Sequence, residues 1–390
     1  MRDSHPIDIT LISTEKTREI VKKVVCSLGY KEQFAPGWIH STLMYQIEEP
    51  GYCDFLKAFI DKTRPDMSGK AESFLLESFL ENGVPFTLSK SGNPKKLVRN
   101  WLAEKSVSRE TFFLTAYGTE MYASEVDLFL KAALRDNGLD LCNHKEAIHW
   151  FCFKRGLKYN DAMRLMARYD ASPAGVPVYS TEQAFRAAVI KARTENALLD
   201  LLLTIKDHPI TYTNYIAYGE FVELYQYNRK LAAMNRNREI DTNTGCVTTS
   251  KTKLSKISSS VIEELTCSGT PIVNGNVAKL SDSSLKFLDI KRLTRNRIST
   301  ILSGKAKVDR TDLIIFNFLK MCHVCRNMPN YKSAPLFVES TNKILEKCNM
   351  GTMSYRNMYD IFLELCMLSN DPDIVYGDVW ELSYNYTEEA

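Results

Sequence analysis

The sequence predicts a mainly α protein of several multi-helix modules, and three observations carry that expectation. From Ala71 onward, apolar residues recur at helical spacing: in NMYDIFLELCMLS, Met358, Ile361, Phe362, Leu365 and Cys366 share one face. Helix-start residues precede such runs, as Ser108 does before RETFFLTAYG and Pro94 does in PKKLVRNWLAEK. Gly (17) and Pro (13) are too few among 390 residues for a loop-rich or all-β chain. That length also predicts two or three domains.

Read in order, residues 1–65 form a small α(+β) region: DITLIS as a strand, EKTREIVKKVVCSLG as a helix stopped at Gly29, and CDFLKAFIDKT as another helix. Residues 66–170 form a helical domain. AESFLLESFLENG ends at Gly83 as C-cap, and Ser124 with Asp127 begins the helix SEVDLFLKAALRDNG. KEAIHWFCFKRG and YNDAMRLMARYD complete it. Residues 171–234 are a helical connector. It opens with the Pro/Gly linker ASPAGVPVYS, continues with a helix started by Ser180 and Gln183, and closes with a helix over about Thr213–Met234. Residues 235–280, rich in Ser, Thr, Asn and Lys, are expected to be a long loop. Residues 281–390 form a second helical domain with a frayed acidic tail, TEEA.

Net charge is only +3, so any surface for an acidic partner must come from local clustering. Two windows supply it. Residues 90–109 carry a net +5 and residues 286–310 a net +6. Concentrations of this kind suit contact with phosphates, where each neutralised charge releases counterions. The two windows also match each other. Each has a basic helix ending in an apolar pair (Trp101-Leu102, Ile301-Leu302), a Lys-containing turn, a Val-Ser-Arg or Val-Asp-Arg step, and an apolar helix capped by Ser108 or Asp309. Arg109 and Arg310 are therefore read as structural, each bonding to carbonyls of the preceding turn and fixing the corner. Trp101 is read as core.

The later window, with Arg295, Arg297, Ile298, Ser299, Leu302, Gly304, Lys305, Val308, Arg310 and Leu313, resembles the middle of Cro/repressor-type (XRE-like) helix-turn-helix domains. Leu97, Arg99, Trp101, Leu102, Lys105, Val107, Arg109 and Phe113 give a second degenerate copy. Both copies depart from the pattern in the helix that should come first, FTLSKSGN in one and SDSSLKFLDIK in the other. The layout also resembles helical proteins of Firmicutes or phage type. The resemblance implies two helix-turn-helix-like units and a non-enzymatic, DNA-binding regulator. Its contacts would be Lys95, Lys96, Arg99, Lys105, Arg292, Arg295, Arg297, Ser299, Lys305 and Lys307, with Arg295, Arg297 and Ser299 nearest the bases. The competing expectation is a helical interaction scaffold or inhibitor, docking an acidic or nucleic-acid-bearing protein partner.

Other chemistry is not expected. Cys322 and Cys325 in CHVC have no second pair at zinc spacing. His144 and His149 are five apart, not the four of a zincin helix, so His149 reads as a half-buried helix residue. Asp371 and Asp373 in NDPD read as a turn. No phosphate-cradling or nucleophile motif is present, so no catalytic residues, cofactor or metal are expected. The start lacks the apolar core of a signal peptide, and no apolar run is long enough to span a membrane. Ten scattered cysteines then read as reduced thiols of a cytoplasmic protein.

Overall fold

The computed structural model describes residues 35–45, 47, 50–85, 93–104, 106–236, 258–288 and 292–385. The expected strand DITLIS, the helix EKTREIVKKVVCSLG and the tail TEEA lie outside those residues, as does Lys105. The fold is mainly α, with two short antiparallel strand pairs among the described residues. The chain divides into two units, Glu49–Tyr215 with Asn349–Gly351, and Ile216–Cys348 with Thr352–Ala390 and the described part of Glu15–Glu48.

The second unit includes the first described helix, α1 (Pro36–Tyr45). The first unit runs through α2 (Tyr52–Thr63), α3 (Ala71–Glu81), α4 (Pro94–Trp101), α5 (Arg109–Gly118), α6 (Ala123–Ala132), α7 (His144–Arg155), α8 (Tyr159–Ala171), α9 (Glu182–Lys191) and α10 (Glu195–Leu203). Its core is aromatic: Phe55, Phe59 and Phe112 gather round Phe129, with Phe112 stacked on it at 5.7 Å between centroids. Burial of such rings supplies the main driving force. Helix α3 lies so close to the end of α5 that Phe79 occupies the space a side chain at Gly118 would need. Asn349–Gly351 packs on this unit through a Met350–Asn137 bridge and a 2.7 Å bond from Lys131 Nζ to Asn349 Oδ1.

The second unit continues with α11 (Ile216–Arg236), α12 (Ser259–Leu265), the hairpin β1 (Ile272–Val273) and β2 (Asn276–Val277), and β3 (Lys279–Leu280). It then has α13 (Leu285–Leu288), α14 (Arg295–Leu302), α15 (Arg310–Val324), α16 (Asn330–Lys347), α17 (Met358–Met367), α18 (Pro372–Leu382) and β4 (Tyr384–Asn385), which pairs with β3. Helix α15 is its axis. Leu313 through Phe316, and Phe318, are all buried, with Phe316 against Phe221 of α11 and Phe318 against Phe337 of α16 and Tyr376 of α18.

Several boundaries differ from expectation. The helix predicted at Thr213–Met234 is Ile216–Arg236, and the chain passes between units at its start. The connector 171–234 is thus divided between the units. Its Pro/Gly opening belongs to the first, where Gly175 N donates to Leu203 O at 2.9 Å. The expected loop 235–280 holds a helix and a hairpin in its described part. Asn274 and Gly275 turn that hairpin at φ of 52° and 81°, the left-handed pair a two-residue turn requires. The caps are Tyr122 and Thr181 rather than Ser124 and Ser180.

Candidate nucleic-acid interface

Helices α4 and α14 each stand directly before the Arg-led helix of their unit. Each has eight residues. Asn93 Oδ1 accepts from Lys95 N and Lys96 N at 3.1 and 3.4 Å, and Thr294 Oγ1 accepts from Arg297 N at 3.2 Å. Val98 and Trp101 are buried in one, Ile298 and Ile301 in the other. The opposite faces are exposed: Lys95, Lys96, Arg99 and Asn100 on α4, and Arg295, Asn296 and Ser299 on α14. Neither helix contains Asp or Glu. Cations at the positive end of a helix are unfavourable by themselves, and an anion bound there relieves both the charge and the dipole.

Arg99 donates to Glu72 at 2.9 Å, a surface pair worth little. After α14 the chain turns at Gly304, φ 70°, and presents Lys305 to solvent. Arg292 and Lys307 are half-buried.

Arg297 does not fit the expected role, and the structure corrects it. Its guanidinium turns back across the corner to Lys307 O at 2.8 Å, Asp309 Oδ2 at 2.8 Å and Asp312 Oδ2 at 2.6 Å. Asp312 is fully buried. Burial pushes its carboxyl up, and Arg297 opposes that shift. A buried carboxylate needs such a cation, so Arg297 is committed to the fold rather than to a ligand.

Arg109 and Arg310 are structural too, but their partners lie further on than the preceding turn. Arg109 donates from Nε and Nη2 to Glu146 at 2.8 and 2.7 Å, and to Asn137 O and Gly138 O at 2.9 and 2.8 Å. Burial opposes its charge, and the Glu146 hydrogen bonds more than restore it, so its pKa rises. Arg310 donates to both oxygens of Asp360 at 2.9 and 2.6 Å and to Thr352 O at 3.0 Å. The two sets match residue for residue. Gly138 O and Thr352 O accept from the Arg. Asp140 N and Ser354 N donate to the carboxylate at 2.8 and 2.9 Å. Asn143 and Asn357 cap α7 and α17, and Glu146 and Asp360 are the third residues of those helices. Each unit therefore carries the same latch, tying the helix after the basic one to a loop two connections later. Sequence reading missed Glu146, Asp360 and the Asp309–Asp312 pair, whose shared sign was an acid three residues after an Asn or Asp cap.

The remaining candidates stay inert. Trp101 is core, its ring tilted against Phe79 with centroids 5.3 Å apart. His149 is buried against Tyr117 Oη at 2.9 Å, and burial holds its pKa down at about 4. Cys322 and Cys325 border a cleft of about 550 Å³ in the second unit, together with Leu319, Arg326, Asn330 and Asp371. Burial pushes both thiols up, away from the thiolate that metal binding or nucleophilic attack needs. Among the described residues no group of three His, Cys, Asp or Glu could hold a metal ion, and no helix is long and apolar enough to cross a membrane.

No protein-family model matches the chain, and neither a curated protein nor a solved structure does. The helix-turn-helix resemblance therefore rests on the residues quoted for it.

Proposed function

We propose that the chain is a non-enzymatic, cytoplasmic, nucleic-acid-binding regulator that contacts phosphates through α4 and α14. One observation carries this reading: in both units the helix before the latched Arg exposes a face of cations and amides with no acid on it. Lys95, Lys96, Arg295 and Lys305 are the principal contacts, with Arg99 and Ser299 beside them. DNA is favoured over RNA because a helix enters the B-form major groove, whereas the A-form groove is too deep and narrow.

The test is a gel shift with duplex DNA over a salt series. Each neutralised phosphate contributes about −0.9 to the log–log salt slope, so the pair Lys95 and Lys96 in one unit, or Arg295 and Lys305 in the other, corresponds to about −2. The quadruple change Lys95→Glu, Lys96→Glu, Arg295→Glu, Lys305→Glu should abolish binding. Binding indifferent to salt, or one that survives the quadruple change, rules the reading out.

The second reading is the interaction scaffold. The cleft in the second unit favours it, because Met328 and Ile374 on its border are 42% and 59% exposed. Purification with one protein partner and no nucleic acid would support that reading.

A further inference from the structure

We infer that the cleft in the second unit is a binding site for a small organic cation, an aliphatic di- or polyamine. The inference goes beyond the nucleic-acid reading and stands without it, because every residue it uses lies in the second unit and none is on α14.

The cleft, of about 550 Å³, has the size of a small-molecule site. It lies between the later part of α11, α12, the C-terminal turn of α15 and the starts of α16 and α18. Leu231, Leu265 and Leu319 line it and are each only half-buried, so apolar wall is left to cover a run of methylenes. One wall residue is polar and buried. Asn228 is 1% exposed. Its Nδ2 donates to Leu224 O and Phe316 O, both at 3.0 Å, which uses both amide hydrogens and fixes which way the carboxamide points. Its Oδ1 accepts no hydrogen bond among the described residues, and that oxygen is open to the cleft rather than sealed in the core. A buried acceptor left open in this way calls for a donor from an occupant.

The border supplies the charge. Glu264, Asp371 and Asp373 stand on it against Arg326, an acidic excess. Asp371 is the cap residue of α18, yet its carboxylate makes no capping bond, and Asp373 sits in the first turn. Both are exposed, and neither is ion-paired among the described residues. The charge of Asp373 reaches into the cleft, where it adds to burial in pushing up the Cys322 thiol. An anionic occupant would meet these carboxylates, so the helix starts at the border make no phosphate site. Nor do the acids converge on a point: among the described residues no group of three His, Cys, Asp or Glu could hold a metal ion. Carboxylates spaced along a partly apolar cleft match ammonium groups spaced along an aliphatic chain, and Asn228 Oδ1 is the acceptor for one of those ammonium groups.

The experiment titrates the full chain, freed of nucleic acid by nuclease, with spermidine and with cadaverine in a calorimeter. A single site with a Kd of about 100 µM or tighter is expected for at least one of the two amines. Asp371→Asn/Asp373→Asn should weaken it by about tenfold. Glu346→Gln/Asp378→Asn removes two exposed acids of the same unit outside the cleft and should leave the Kd within about twofold. Equimolar magnesium should not displace the amine. The tripeptide Gly-Lys-Gly is the third titrant, because a lysine side chain carries the same ammonium. The inference is overturned if neither amine binds, if the two double variants weaken binding equally, or if magnesium displaces the amine. Binding of the tripeptide without either amine also overturns it, and assigns the cleft to a protein partner's side chain instead.

Discussion

Removing the cation of the second latch should be among the most destabilising single changes in the chain. Arg310 is 5% exposed and Asp360 2%. Arg310→Met keeps most of the side-chain volume but leaves Asp360 a buried carboxylate held only by Ser354 N and the start of α17. Breaking a buried pair in this way costs about 3–5 kcal/mol, a large part of a typical stability of about 5–15 kcal/mol. The first latch gives an internal control. The side chains of Arg109 and Glu146 are 21% and 12% exposed, so water partly solvates what Arg109→Met leaves behind. Its cost should be about 1.5–3 kcal/mol. Arg310→Met/Asp360→Asn removes both charges and should recover about 2 kcal/mol of the loss, which a double-mutant cycle reads as coupling. Urea unfolding followed by fluorescence suits the assay, because Trp101 and Trp150 report on the first unit and Trp38 and Trp380 on the second. Trp→Phe backgrounds separate the two signals. A loss below about 1 kcal/mol for Arg310→Met, or a larger loss for Arg109→Met, would refute the burial reasoning.

The two units should respond to acid in opposite directions. His149, its pKa held near 4 against an unfolded 6.5, contributes stability that is full above pH 6.5 and lost as pH falls toward 4, at most about 3 kcal/mol; His149→Phe should flatten that slope in the first unit. Burial lifts Glu364, beside Tyr355 at 3.1 Å, to about 7 from an ordinary 4.5. The folded second unit then keeps a proton that the unfolded chain releases, so it loses about 1–2 kcal/mol as pH rises from 4.5 to 7, and Glu364→Gln should remove that loss. A first unit that gains stability on acidification, or a Glu364→Gln variant with an unchanged pH profile, counts against these assignments. Gly118→Ala would drive a Cβ into the Phe79 ring and should cost about 2–3 kcal/mol. A melting temperature equal to the wild type's would show that α3 moves aside freely.

What was legible in the sequence was local. Apart from α12, which lies in the stretch expected to be a loop, the helices from α3 onward follow from period and caps, because both are set by residues three or four apart: Ser108 and Asp309 cap the helices they precede. The hairpin at Pro271–Ala278 was missed because strands of two residues have no alternation to detect, although Asn274-Gly275 is itself a turn signal. The division between units was missed for another reason. Composition placed a linker at ASPAGVPVYS, yet Tyr179 packs edge-on against Phe185 and Gly175 bonds to Leu203 within the first unit. The chain crosses instead at Tyr215–Ile216, where a buried Tyr meets the start of a helix and nothing in composition marks a boundary.

The candidate site was half legible, and the missing half has one cause. Charge counted in a short window treats every cation as available unless an acid is nearby in sequence. Arg109 and Arg310 find their carboxylates 37 and 50 residues away, and Arg297 has Asp312 just beyond its window besides Asp309 within it, so such a window overcounts what is free. Folding removes all three from the surface charge and leaves, among the described residues, Lys95, Lys96, Arg295 and Lys305 exposed, with Arg99 exposed but paired to Glu72. The consequence is directional. If the basic windows had been needed only for net charge, the inward arginines would be wasted. Spent on latches, they fix the helices that display the other cations. The sign of such spending lies in the acceptor loops rather than in the basic windows. GLDLCNHKE and TMSYRNMYD each place a carbonyl, an amide donor, an Asn cap and a helix-opening acid in one register. An Arg at the start of a helix, followed two helices on by Asn-x-x-acid at a helix start, is better counted as half of a buried pair than as a phosphate contact.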